Sequence, residues 1–382
     1  MKKYKLRFVG MKMEYIFEDV LEIKNGKNQK SVENPDGKYP IYGSGGVMGF
    51  ADDYICNPDT VIIGRKGSIN NPIFVEEAFW NVDTAFGLQA KKELLNPRYL
   101  FYFCKRFDFE KLNKTVTIPS LTKSDLLKIK IDLPDKAIQE NVVRNLVKLE
   151  HVMRLRKEEI DKLDELIKAR FVELFGMPFD NEKWDVSELR DLSESMIDGS
   201  NVDPDYYESE GDVLFLRIQN VWRNEFRLDD SVYITQEINH KHYYDTSLRK
   251  GDLLITKIGR FYTKDSSLGR VSVYRGENDC ANYSNNIIRV RLIDSMNSEF
   301  VNTLLNLDDY QSFIKRTSKG GTDKRALSKS LIGGYPIIMP PKELQDEFVL
   351  FVRQVDKSKF AVQKLLDETQ KLFDSLMQNY FG

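Results

Sequence analysis

No stretch of the chain approaches about eighteen consecutive apolar residues, so nothing in it reads as a membrane span. The opening MKKYKLRFVG is basic but lacks the apolar run and small-residue cleavage site of a signal peptide. Cysteine is scarce. Cys56, Cys104 and Cys280 are an odd, widely spaced set with no Cys-x-x-Cys, which points to reduced thiols in a cytoplasmic protein and away from a zinc module. Histidine is equally rare: His151 lies in a helical pattern, and His240 with His242 in a polar loop forms a ligand pair that no nearby Cys or third His completes. Chemistry-bearing motifs are missing as well. There is no GxxxxGK[ST] for a triphosphate, and Pro58-Asp59 is not followed by the acid-x-Lys that holds a nuclease metal. Tyr42 to Gly46 has the look of a cofactor-binding glycine turn, but no Asp/Asn-Pro-Pro-aromatic segment accompanies it to receive a flipped adenine; Met339-Pro340-Pro341-Lys342 is the wrong chemistry. An independent enzyme is therefore a distant reading, and no cofactor is expected on this chain.

A net charge of −2 excludes a polyanion-coating protein, yet the average hides local excesses. Lys105 to Lys130 carries seven Lys/Arg against three acids, Arg249 to Arg275 seven against two, and Lys315 to Lys329 six against one. A single charge run usually marks only a solvated face. Three of them, in segments flanking charge-balanced helices, favour a nucleic-acid surface.

What the sequence does have is a duplication. Lys136 to Gly176, KAIQENVVRNLVKLEHVMRLRKEEIDKLDELIKARFVELFG, recurs without a gap as Lys342 to Gly382, ending on the same Phe-Gly pair. The register extends upstream: Leu121, Lys123, Ser124, Ile131, Pro134 and Gln139 return as Leu327, Lys329, Ser330, Ile337, Pro340 and Gln345. Leu146, Leu149, Met153, Ile160, Leu163, Ile167 and Leu174 follow heptad steps, interrupted by Arg156 and Arg170. The copy keeps the stripe as Val352, Val355, Val362, Leu366, Phe373, Leu376 and Tyr380, interrupted instead by Lys359 and Thr369. Pro134 and Pro340-Pro341 precede the two helices, and Gly176 and Gly382 sit where a helix can stop. Roughly forty residues make a rod about 60 Å long. Its stripe must be buried either on its own domain or on its copy, and the second is expected, with the helices antiparallel.

Both halves of the chain open on a short apolar segment closed by a turn, at Asn25-Gly26 and Asp198-Gly199. Val61 to Ile63 is a buried-strand pattern ending in the basic, glycine-flanked loop GRKGSIN; GDLLITKIG repeats the shape at Gly251 to Gly259, followed by RFYTKDSSLGR and a strand at Val271 to Tyr274. Trp80 to Leu88 and Tyr283 to Val290 read as the next strands, and Pro97 to Phe109 and Glu299 to Phe313 as helices. The length allows two or three domains. The mixture predicts α+β lobes, with boundaries at 1–135, 136–176, 177–341 and 342–382, the segment Met177 to Lys183 being the linker.

In this order and duplication the chain resembles the DNA specificity (S) subunits of type I restriction-modification systems. The features that carry the resemblance are Leu174-Phe175-Gly176 with Pro178, Asn181 and Trp184; IPSLTKSDLLKIKIDLP and its copy ALSKSLIGGYPIIMPP, each feeding a helix with Gln139 or Gln345; and the YGSGG and IGRKGS turns. The second lobe departs from the pattern: it lacks YGSGG and has Thr256-Lys257-Ile258-Gly259 where the first has Gly64-Arg65-Lys66-Gly67. The resemblance implies two similar target-recognition lobes separated by two long antiparallel coiled-coil helices, with an internal pseudo-twofold. Double-stranded DNA, two methyltransferase (M) subunits and motor-nuclease (R) subunits would be the partners, and catalysis and S-adenosylmethionine would belong to them. On the glycine-flanked cationic loops, the expected base-reading residues are Arg65, Lys66, Ser68 and Asn70 in the first lobe and Lys257, Arg260, Lys264 and Arg270 in the second. Ser44 of the YGSGG turn is expected at the DNA too, and Lys114, Lys319, Lys324 and Arg325 are expected to grip phosphates. The rival reading is a duplicated coiled-coil scaffold for proteins that never touches DNA.

Overall fold

A computed structural model describes residues 13–113 and 120–382. Its contacts divide the chain into two units, one of Met1–Glu159 with Val362–Gly382 and the other of Ile160–Ala361. Among the described residues no helix is long and apolar enough to cross a membrane.

In the first unit the strands Leu21–Asn25, Ala85–Ala90, Thr60–Gly64 and Ile73–Val75 form an antiparallel sheet in that spatial order. Thr60–Gly64 is buried along its whole length, as the run Val61-Ile62-Ile63 demands of a strand covered on both faces. A second sheet sets Gly46–Ala51 beside Tyr39–Gly43, and Trp80–Asn81 parallel to the latter. Met13–Ile16 pairs with Lys130–Leu133. The helix Pro97–Arg106 starts on Asn96, whose side chain accepts the N–H groups of Arg98 (2.9 Å) and Tyr99 (3.3 Å), with Pro97 in the first turn where its missing N–H costs nothing.

The second unit repeats this plan strand for strand. Ser193–Asp198, Ile287–Leu292, Leu253–Thr256 and Val271–Val273 make the first sheet; Val232–Ile234, Val213–Leu216 and the parallel Ala281–Tyr283 make the second; Val186–Glu188 pairs with Pro336–Ile338. Asn297 caps Ser298–Asn306 as Asn96 caps its counterpart. The segments that read as single strands, Trp80 to Leu88 and Tyr283 to Val290, are each two strands that cross from one sheet to the other through a turn. Likewise the helix expected over Glu299 to Phe313 breaks at Leu307 into Ser298–Asn306 and Asp308–Thr317.

The two long helices are Lys136–Phe175 and Lys342–Phe381. Within the first unit the Arg156 guanidinium donates to the Leu365 carbonyl and the Thr369 hydroxyl, Phe373 meets Tyr102 at 6.3 Å between ring centroids, and Phe381 meets Tyr99 at 4.8 Å. The Tyr102 hydroxyl donates to Glu150 at 2.7 Å. Within the second, Lys359 pairs with Asp164, and Phe348 packs on Phe171 (5.3 Å) and Phe175 (5.5 Å), both also against Phe300 of the lobe. In each unit the numbering rises along one helix as it falls along the other, so the pair is antiparallel. Each stripe is buried on both candidates at once, the opposite helix and the lobe. Buried apolar side chains contribute about 1.5–3 kcal/mol apiece, which is why the seam tolerates a few polar members.

Candidate nucleic-acid interface

The first lobe builds its basic loop at the end of the buried strand Thr60–Gly64. Gly64 is required there: a Cβ on it would stand 2.3 Å from the Ser68 carbonyl oxygen and 3.2 Å from the Ser44 Cβ. Without that side chain the loop folds back over the strand end, and the YGSGG turn lies directly against it. Arg65 donates its backbone N–H to the Thr84 carbonyl (2.8 Å) and accepts from Leu121 N–H (2.9 Å), while Lys66 bridges to Ser120. The backbone is thereby fixed and the Arg65, Lys66 and Ser68 side chains are left exposed beside Ser44. The Arg65 guanidinium lies 5.7 Å from the Phe86 ring centroid. Asn70 is exposed but already engaged: its Nδ2 donates to Asp108 at 3.1 Å and its Oδ1 accepts the Phe109 N–H at 2.7 Å, so its amide ties the loop to the turn Phe109–Leu112. Lys114 lies outside the described residues.

In the second lobe two basic segments that are far apart in sequence become one sheet. Ile258–Arg260 pairs antiparallel with Lys324–Ala326, which pairs in turn with Lys319–Gly320, and Arg260 is directly opposite Lys324. Gly259 allows the return: a Cβ on it would be 2.3 Å from the Leu268 backbone nitrogen. Arg260, Lys264, Lys319 and Lys324 are exposed, Arg260 with 74% of its side chain open and Asp323 3.4 Å away.

Three of the second lobe's expected residues are spent on its own fold. Arg270 is buried; its Nε donates to the Ser266 carbonyl (2.9 Å), Nη1 to that of Val221 (3.3 Å) and Nη2 to that of Asp265, and burial lowers its pKa. A guanidinium so engaged, buried and stacked on an indole, organises the loop from behind and does not present itself to a base. Lys257 is held 2.7 Å from Asp198 with little of its side chain exposed. Arg325 donates to the Ser318 carbonyl and lies 5.1 Å from the Phe261 ring centroid.

Sequence reasoning passed over residues 217–231, which join the second lobe's Val213–Leu216 to Val232–Ile234 where the first lobe has only its glycine turn. They carry the small hairpin Val221–Trp222 with Glu225–Phe226, and the Trp222 ring is sandwiched by the guanidinium carbons of Arg227 (3.5 Å) and Arg270 (3.7 Å). The interleaving of Trp222, Arg223, Phe226 and Arg227 was the legible signal.

Residues 12–165 and 181–369 match the family described as the type I restriction modification DNA specificity domain. The chain belongs to that family. It is 24% identical over 354 residues to a Haemophilus influenzae protein that carries the name of a type I restriction enzyme specificity subunit, covering 87% of this chain and 84% of the relative. A crystal structure of a type I restriction-modification S subunit from M. genitalium has the same fold, with a TM-score of 0.61 over 99% of this chain and 98% of that one at 16% identity. A chain from a study of complex assembly and conformational transition of the type I R-M system follows at a TM-score of 0.58 and 17% identity, covering 98% of both. As a type I specificity subunit the chain has DNA recognition as its role, and its two matched segments fall on the two duplicated lobes. The scaffold reading is not favoured.

Proposed function

We propose that each lobe reads one half of a bipartite double-stranded DNA site, with the paired helices setting the unread spacer between the halves. The observation that carries this reading is the placement of an exposed cationic loop at the same strand end in both lobes, after Thr60–Gly64 in one and Leu253–Thr256 in the other. Two similar but unequal readers suit an asymmetric, interrupted site, provided both halves face the protein on compatible turns of the duplex, roughly 34 Å per turn. In the proposed division of labour, residues 1–135 and 177–341 recognise DNA, while 136–176 and 342–382 also dock two methyltransferase subunits. Motor-nuclease subunits join that assembly. Methyl transfer and cleavage belong to the partners, which bind S-adenosylmethionine and work with this chain in the cytoplasm.

Purification from its own cells tests the partnership: an adenine methyltransferase should be recovered with the chain, and recovery of none contradicts the proposal. Inserting four residues into each long helix tests the spacer. The recognised spacing should change while both half-sites stay the same, and an unchanged spacing contradicts that role.

A further inference from the structure

The two lobes differ where their reading loops meet. In the first, Ser44 sits against Gly64 and fills the space between the glycine turn and the basic loop. In the second, the longer connection 217–231 stands off from the loop after Leu253–Thr256 and leaves a cleft of about 470 Å3. Ile218, Trp222 and Ile258 supply apolar walls, Gln219 is exposed beside them, and the exposed cations Arg260 and Lys324 line the same cleft.

The connection is rigidly held. Asn220 accepts the Arg217 N–H (2.9 Å) and donates to the Arg227 carbonyl and to Asp230 (2.9 Å each), and Trp222 Nε1 donates to the Gln219 carbonyl at 2.9 Å. Both faces of the Trp222 indole are already covered by guanidinium groups, so an extruded base has no ring on which to stack. The edge of the indole and the two isoleucines offer a lodging for an alkyl group. Gln219 uses one N–H on Asp230 (3.2 Å); its amide has a second N–H and a carbonyl oxygen, the donor and acceptor that match adenine N7 and N6 in the major groove. Thymine is the base with a methyl group at that groove, beside its adenine partner.

We infer that this cleft reads an A·T pair in the half-site of the second lobe, Gln219 meeting adenine and the wall of Ile218, Trp222 and Ile258 taking the thymine methyl. Lys324, on the same cleft, holds a flanking phosphate, and the exposed Arg260 beside it is left for a neighbouring base. The inference rests on the two-lobe reading of DNA and adds the base pair and the residues that choose it.

The test uses the complex assembled with its methyltransferase partners. Binding is measured on duplexes in which each thymine of the site is replaced singly by uracil, which removes only the methyl group. One replacement, in one half-site, should weaken binding about fourfold. Ile218→Ala should erase the difference between thymine and uracil at that position, and Gln219→Leu should relax discrimination at the same pair about tenfold with the other half-site intact. If no thymine is sensitive, or the sensitivity persists unchanged in both variants, the inference falls while the two-lobe reading stands. A complex that binds its site no better than unrelated DNA sinks both. The uracil series needs no variant, so a variant that fails to fold does not leave the question open.

Discussion

The side-chain carbonyl of Gln139 accepts the backbone N–H of Asn96 at 2.9 Å, joining the first turn of a long helix to the residue that caps a helix of the lobe. Its Nε2 donates to the carbonyls of Leu94 (3.0 Å) and Pro134 (2.9 Å). Gln345 repeats the tie in the second lobe, accepting from Asn297 N–H at 2.8 Å and donating to Ser295 (3.2 Å) and Pro340 (2.8 Å). Both glutamines are 1% exposed. These amides fix the direction in which each long helix leaves its lobe.

Gln139→Ala or Gln345→Ala takes the partner from one backbone N–H and two carbonyls, of which the proline carbonyl is bonded in a buried setting. Each is expected to cost about 2–4 kcal/mol, read as a lowered thermal midpoint. A loss under about 0.5 kcal/mol contradicts the role given to the tie.

The polar members of the helix seam form a matched set. Arg156 and Thr369 bond each other, and their equivalents in the repeat are the apolar Val362 and Leu163. Thr369→Leu alone removes one of the two acceptors of the half-buried Arg156 guanidinium and sets a leucine against it, and should destabilise by about 1–2 kcal/mol, whereas adding Arg156→Leu makes that level of the seam apolar and returns the thermal midpoint to that of the parent or above. Equal losses in the single and double variants would show the pair to be incidental.

Asp356 on the second long helix has its carboxyl pKa raised, first by burial, then by the nearby charges of Asp164 and Glu299 acting against Lys359 and Arg275. A carboxyl raised in the folded state binds its proton more tightly there than in the unfolded chain, so its ionisation opposes folding once the pH passes the folded value. Asp356→Asn should raise the thermal midpoint at pH 7 by about 1–2 °C. Its advantage should vanish on acidification below the ordinary carboxylate range. A gain that grows in acid contradicts the assignment.

Lys319 and Lys324 stand on the basic sheet as point charges, and their proposed partners are phosphates. Replacing either by Ala should weaken cognate and unrelated DNA alike and lower the slope of log affinity against log salt by about one. A change of preferred sequence, with the slope untouched, would make them base readers instead.

Much of this molecule was legible because its signals are periodic or repeated. The stripe from Leu146 to Leu174 marks the helix Lys136–Phe175, and an ungapped copy marks its twin. The stripe did not include Phe171, which is fully buried against Phe300 and Phe348, because near its lobe the helix turns a second face inward. Exposed cationic loops were legible from Gly64 and Gly259 beside Lys and Arg. The partner of each cation was not. Arg270 sits in the same kind of loop as Arg260, and only the pairing of Ile258–Arg260 with Lys324–Ala326 and the packing of Trp222 decide that one is buried and the other open. Asn70 likewise looks free in sequence, since Asp108 and Phe109 reach it only through the fold.

The central claim, two readers each responsible for half of one site, is tested most directly by mapping the methylated DNA motif in cells whose complex carries Arg65→Ala or Arg260→Ala. Each change should relax a single base position, by about 1–3 kcal/mol where the arginine meets guanine, and the two variants should affect opposite halves of the motif. Variants that alter the same half, or that both leave the motif as it was, contradict the account.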